Sequence, residues 1–161
     1  QADYGTLIKM KSYIEEMVSY LRNFADGGKV HFMLEADDVS MDVSQAVPLG
    51  LLLNEAITNA LKYAFPGDRR GNIRITLKET AGETILLKIN DDGQGFPENF
   101  NFSGNKSLGI QLIKLFSEQL EGDLRFENNN GAHIELCFKK QIPINTLPLN
   151  ISQQADSRKF V

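Results

Sequence analysis

Apolar and polar positions change their period several times along this chain of 161 residues, and each change predicts an element. Leu7, Met10, Ile14, Met17, Leu21 and Phe24 recur at spacings of 3 and 4. That spacing predicts an amphipathic helix over 5–24 with a coiled-coil-like stripe. The helix reads in two ways: lying on its own domain, or ending a helical hairpin. Ala25-Asp26-Gly27-Gly28 stops it with turn residues. Val30, Phe32 and Leu34 then alternate with Lys29, His31, Met33 and Glu35, which predicts a strand with one buried face. Residues 37–44 are polar and read as a loop, with Ser44 as the cap of the next helix. From Val47 to Phe65 an apolar run predicts that helix, buried, with Pro48 accommodated in its first turn. Pro66-Gly67-Asp68 ends it.

Ile73, Ile75 and Leu77 predict a second strand, and Ile85, Leu87 and Ile89 a third. The short Ala81-Gly82 turn makes them antiparallel neighbours. Residues 90–107 are too polar and glycine-rich for a regular element, and a loop of that length in a compact domain is usually functional or mobile. Leu108 to Leu120 predicts a helix with Leu108, Leu112, Leu115 and Phe116 on one face. Leu124 and Phe126 mark a fourth strand. Asn128 to Gly131 form a hairpin turn, and Ile134, Leu136 and Phe138 a fifth strand. Residues 141–161 keep no period and read as an irregular tail. This order predicts an α/β (α+β) two-layer sandwich, a mostly antiparallel mixed sheet with helices packed on one face.

Composition narrows the picture. An apolar fraction of 42% supports a packed core, and the length suits one domain. A net charge of -4 argues against a nucleic-acid-binding surface. The single cysteine, Cys137, allows no internal disulfide and fits a reducing compartment. No apolar run approaches the roughly 18–20 residues that cross a bilayer. The chain opens in helical pattern without an initiator Met, so a fragment of a longer protein is expected.

Three stretches carry candidate chemistry. In the run from 47 to 65, Glu55 and Asn59 stand one helical turn apart on one face. A carboxylate and an amide in an apolar helix need partners, which a hydrated cation and a polar ligand would provide. Directly after the third strand comes Asp91-Asp92-Gly93-Gln94-Gly95-Phe96-Pro97. Its glycines let backbone approach a ligand, and a carboxylate there can accept from an exocyclic amine. Taken alone, it is equally an acidic turn. Lys106-Ser107-Leu108-Gly109-Ile110 opens a helix, where free N–H groups favour an anion. Alone, it is equally a Ser107 cap.

Together, in this order and spacing, the stretches resemble the GHKL ATP-binding superfamily of sensor histidine kinases, gyrase-type topoisomerases, Hsp90 and MutL. The helix carrying Asn54-Glu55 and Asn59 resembles its N box, Asp91 to Gly95 its G1 box, and Ser107 to Gly109 its G2 box. Gly131-Ala132 stands where the family has its last glycine turn. The likeness spans about residues 28–140 and looks closest to histidine kinases of the HisKA_2 type. It implies the Bergerat ATP-binding fold over 25–140, with 1–24 as the end of a dimerisation hairpin or linker. It also implies ATP and Mg2+ as cofactors, with Asn59 coordinating the metal. Glu55 would be the catalytic residue, as general base or by positioning a nucleophile or a metal-bound water. Lys62 would contact phosphate and Tyr63 would lie near the nucleotide. Asp91 would accept from the adenine amine, Gly93 and Gly95 would shape the pocket, and 96–106 would be the ATP lid, opening with Phe96. Ser107, Leu108 and Gly109 would hold phosphate. Two departures stand out: many histidine kinases have Asn where this chain has Glu55, and Ala132 replaces a threonine.

The two histidines, His31 and His133, fall in predicted strands and read as surface residues. The phosphoacceptor would then lie on a histidine-containing dimerisation domain elsewhere, in cis or in trans. The resemblance further implies a response regulator receiver domain as downstream partner, a homodimeric full-length protein and a cytoplasmic location, with no nucleic-acid or membrane contact by this segment. An anti-sigma-type serine kinase and a non-catalytic nucleotide-binding interaction module are the alternatives.

Overall fold

A computed structural model describes residues 6–24, 26–104 and 107–141. Residues 1–5, the last of which opens the expected first helix, Ala25 of the turn after it, Asn105 and Lys106 of the expected lid, and 142–161 of the expected tail lie outside the described residues. In chain order the elements are β1 (Leu7–Lys9), α1 (Met10–Arg22), β2 (Val30–Ala36), β3 (Ser40–Asp42), α2 (Val43–Tyr63), β4 (Gly71–Thr80), β5 (Thr84–Asp91), α3 (Leu108–Gln119), β6 (Asp123–Asn128) and β7 (Ala132–Lys139).

Five strands form one sheet in the order β2-β4-β5-β7-β6. Within it β2 and β4 run parallel, and α2 lies in the crossover such a pair requires. The other pairs are antiparallel. Register places Phe32 beside Ile73, Ile75 beside Ile89, Ile89 beside Ile134, and Leu87 beside Leu136. These residues share one face and are buried. The intervening positions, among them Arg74, Lys88 and Glu135, point to the other face, as period 2 demands. Against the buried face pack Met10, Ile14, Val18 and Leu21 of α1, Leu49, Leu52, Leu53, Ala56 and Ile57 of α2, and Ile110 and Ile113 of α3, in one cluster. The result is the expected two-layer sandwich. His31 and His133 stand on the opposite face from that core, as their alternation implies.

Several local expectations are corrected. The first helix begins at Met10 rather than residue 5, because Leu7–Lys9 pairs antiparallel with Ser40–Asp42. That ladder also turns part of the expected 37–44 loop into a strand and buries Met41 completely. Along α1, Val18 is buried and Phe24 is 66% exposed, so the stripe is shifted from the one expected. The cap of α2 is Asp42, whose carboxylate accepts from the Ser44 N–H at 2.9 Å. Hydrogen bonds from the Ser44 hydroxyl and N–H hold the Asp42 carboxyl below its ordinary value. Pro48 falls in the second turn, not the first, where its missing N–H leaves the Ser44 carbonyl without its usual helical partner.

The apolar run of α2 is not buried all round: Val47 and Leu51 are 49% and 44% exposed. On α3 the inward face is Ile110, Ile113 and Ser117, with Leu120 just beyond, while Leu108 and Leu115 face solvent. Leu and Ile surround that helix so completely that spacing alone could not choose between faces. Gln45 closes the fold at the chain's later end. Its buried amide donates to the Lys139 carbonyl and accepts from the Gln141 N–H, each at 2.9 Å. No helix among the described residues is long and apolar enough to cross a membrane.

Candidate functional site

A cleft of about 610 Å³ opens between the second half of α2, the ends of β5 and β7, the loop after β5 and the start of α3. Ile89, Ile134 and Ala56 give it an apolar floor. Polar groups enter at two ends: Asp91 from β5, and Asn59 with Ser107 from α2 and the α3 cap.

Asp91 is the last residue of β5 and is 7% exposed. Its Oδ1 accepts from the Gly93 N–H at 2.9 Å and from the Ala132 N–H at 3.1 Å. Oδ2 makes no hydrogen bond among the described residues. No fully buried side-chain oxygen there lacks a partner, so Oδ2 has solvent access, and the cleft is where Asp91 is open. Burial raises the Asp91 carboxyl above its ordinary value, against the two backbone N–H groups that lower it. Gly131, at φ +136°, lies so close that a Cβ would overlap the Asp91 carbonyl. Gly93 is packed on Ala64 in the same way. These glycines are therefore required by close backbone approach. Gly93 shapes the site from behind, whereas Gly95, at φ +77°, lines the cleft.

The neighbouring carboxylate has a different task. Asp92 accepts from the Asn72 N–H at 2.7 Å and from the Asn72 amide at 2.8 Å, which staples the end of β5 to β4. Burial works to raise its pKa, but the Asn72 hydrogen bonds and nearby Arg69 outweigh it and hold the carboxyl low.

The loop after Asp91 is tied down on both sides. The Gln94 N–H donates to the Ala64 carbonyl at 2.9 Å, and its side chain donates to the Tyr63 carbonyl. Phe96 exchanges two hydrogen bonds with the Asn128 amide. Phe96, Phe100, Phe102 and Phe126 then pack ring on ring, with centroids 4.5–6.0 Å apart. Phe96 and Phe100 form a wall of the cleft.

At the other end, Ser107 caps α3 by accepting from the Ile110 N–H at 3.4 Å. The N–H groups of Leu108 and Gly109 have no carbonyl within the helix to reach. A Cβ on Gly109 would sit 2.8 Å from Asn59 Nδ2, so the two motifs touch here. Asn59 and Glu55 are half-buried in α2, and their side chains make no hydrogen bond among the described residues. Asn59, Tyr63, Asp91, Gly95, Phe96 and Ser107 thus line one cleft. Glu55, Lys62, Gly93, Leu108 and Gly109 do not line it: Glu55 lies one turn back along α2, Lys62 and Leu108 are exposed beside it, and Gly93 and Gly109 stand behind Asp91 and Asn59.

Gln94, Phe100 and Asn128 carry no signal of their own in the sequence. Gln94 and Phe100 fall within the glycine-rich stretch, but nothing in their spacing marks them. Asn128 is hidden as a hairpin-turn residue.

The fold and cleft define a class: a mixed-sheet α/β sandwich with a cleft lined from one helix, one strand end and one helix start. Comparison with known proteins places the chain in it. Residues 44–142 match the family of histidine kinase-, DNA gyrase B- and HSP90-like ATPases, and the chain belongs to that family. Membership carries ATP binding with it as a family property. The chain is 27% identical to blue-light-activated histidine kinase 2 of Erythrobacter litoralis over 118 residues, 73% of this chain and 34% of that protein. It is 31% identical over 86 residues to the sensor histidine kinase PdtaS of Mycobacterium tuberculosis, covering 52% of this chain and 17% of that one. The chain therefore spans about a third or less of these relatives. The solved histidine kinase domain of the Erythrobacter litoralis EL346 blue-light-activated kinase superposes with a TM-score of 0.75 at 25% identity, covering 86% of this chain and 62% of that one.

Proposed function

We propose that this chain is the catalytic, ATP-binding part of a sensor histidine kinase. It binds Mg-ATP and passes the γ-phosphoryl group to a histidine on a dimerisation domain. The observation that carries the reading is Asp91: a buried carboxylate at a strand end, one oxygen anchored by two backbone N–H groups and the other left for the cleft. Such a group suits the amine of an adenine ring lying on the apolar floor. Gly93 and Gly95 shape that end, and Phe96 begins the lid.

The phosphate end is assigned to Ser107, Leu108 and Gly109, where the α3 start offers N–H donors and a favourable dipole. Lys62 adds a mobile positive charge and Tyr63 a wall. Asn59 is the protein ligand of Mg2+. Its half-buried side-chain amide lines the cleft and has no hydrogen-bond partner among the described residues. One such oxygen suits Mg2+, which keeps water and phosphate oxygens as most of its ligands. When bound, the metal supplies charge neutralisation on the phosphates. Glu55, one turn from Asn59, is the general base toward the acceptor. Positioning and electrostatics dominate this chemistry. The acceptor domain, a response regulator receiver domain, a homodimeric full-length protein and a cytoplasmic setting complete the proposal. Residues 1–24 serve as the end of the dimerisation hairpin or a linker.

The test mixes the protein with a histidine-bearing hairpin domain and γ-labelled ATP. Acid-labile label on the hairpin is expected. Acid-stable label on serine would point to a serine kinase, and ATP binding without any transfer to a non-catalytic module.

A further inference from the structure

The hairpin between β6 and β7 holds both sides of the adenine end of the cleft. From its second strand, the Ala132 N–H reaches Asp91 Oδ1 at 3.1 Å. From its first strand, Asn128 reaches the loop. Asn128 Oδ1 accepts from the Phe96 N–H, and Asn128 Nδ2 donates to the Phe96 carbonyl, both at 2.8 Å. This is a closed ring of two bonds between a side-chain amide and one residue's backbone. Only one orientation of the amide satisfies both. Asn128 and Ala132 face each other across the ladder, so the two anchors are parts of one rigid unit.

The position of this clamp matters more than its strength. Gly95 turns with φ +77°, and a Cβ there would lie 2.8 Å from Asn128 Oδ1. On the near side of the turn, Gln94 is bound to the end of α2 through the Ala64 and Tyr63 carbonyls. On the far side, Phe96 has Asn128, and its ring contacts with Phe100, Phe102 and Phe126 begin there. The backbone from 94 to 96 is therefore fixed at both ends, and Phe96, a wall of the cleft, is held in place from its own backbone. A wall that is placed before the ligand arrives spares binding the cost of ordering it.

We infer that Asn128 is a positioning residue for nucleotide binding, which fixes the backbone at Phe96 and so holds that wall of the cleft where the nucleotide meets it. The inference rests on the ATP-binding reading above, and it adds a residue outside the family-like motifs. Asn128 does not touch the nucleotide; it acts through Phe96.

Two variants test it, Asn128→Ala and Asn128→Asp, with ATP affinity by calorimetry, thermal midpoint, and hydrogen exchange at the Phe96 amide without nucleotide. Alanine removes both bonds. Aspartate keeps the acceptor for the Phe96 N–H and turns the donor into a negative oxygen facing the Phe96 carbonyl. Both variants are expected to weaken ATP binding about tenfold, the scale of one or two lost hydrogen bonds, with midpoints close to wild type. Phe96 exchange should accelerate in the alanine variant and stay slow in the aspartate variant. Wild-type affinity in both variants overturns the inference, whether or not Phe96 exchange changes. So does a lowered midpoint with unchanged affinity and exchange, because Asn128 would then serve only the hairpin. Failure of the wild-type protein to bind ATP overturns the ATP reading instead, and Phe96 exchange then decides the clamp by itself.

Discussion

Asp91 divides its two oxygens between the fold and the cleft, and that division makes its role separable by mutation. Asn at position 91 can keep the Oδ1 acceptor for the Gly93 and Ala132 N–H groups and replace the cleft-facing oxygen with a donor. Asp91→Asn is therefore expected to lower ATP affinity about 10- to 100-fold, the cost of a charge-assisted hydrogen bond, with little change in thermal midpoint. Titration calorimetry and a melting curve check both halves. Burial also raises the Asp91 carboxyl, so its charge is lost on acidification earlier than an exposed aspartate's. ATP affinity should fall as pH drops through that raised value. Stability moves the other way. The folded state holds this proton to higher pH than the unfolded chain, so Asp91's contribution is complete below the unfolded value and is lost as pH rises through the folded one. Asp91→Asn should flatten that slope in denaturation series run across acidic pH. Gly109 gives a second separation. Alanine there gains some helix propensity, less than in a helix interior because Gly109 is in the first turn of α3, but places a Cβ 2.8 Å from the Asn59 amide. The expected result is an unchanged or raised midpoint with several-fold weaker ATP binding in Mg2+, read by the same two measurements.

At the scale of elements, α1 is seated on α2 through a glycine. A Cβ on Gly50 would overlap the Tyr13 ring, so the ring lies flush on the α2 backbone. Gly50→Val should push α1 outward and cost about 1–3 kcal/mol, as overpacking does. Adding Tyr13→Ala should recover part of that loss, which a double-mutant cycle in urea can measure. Elements like these differ in how far the sequence announces them. The five sheet strands were legible because Ile, Leu, Val and Phe alternate on a single buried face. The ladder of β1 with β3 was not: each strand is three residues long, and each is stabilised by a partner some thirty residues away. The α3 face was unreadable for the opposite reason, since apolar residues surround it and only the position of α2 selects Ile110 and Ile113. Asp42 took the cap expected of Ser44 because both carry cap chemistry two residues apart, and the β3 ladder fixes where the helix can begin.

For the molecule as a whole, the sandwich works as a frame that brings residues from 59, 91, 107 and 132 to one opening. Their joint order along the chain was readable, since each motif requires its own residue types: an amide on a helix face, a carboxylate before glycines, a cap before a glycine. Gln94 and Asn128 were not readable, because their value lies in which distant carbonyl or N–H they meet, and tertiary distance leaves no local pattern. The central claim is that this opening holds ATP. The most direct measurement is a nitrogen-15 correlation spectrum of the protein titrated with ATP in the presence of Mg2+. The account predicts saturable shifts at the backbone amides of Gly93, Gly95, Gly109 and Ala132 and at the Asn59 side-chain amide, strongly weakened in Asp91→Asn. A spectrum unchanged at millimolar ATP, or saturable shifts confined to the opposite face of the sheet around His31 and Arg74, would contradict it.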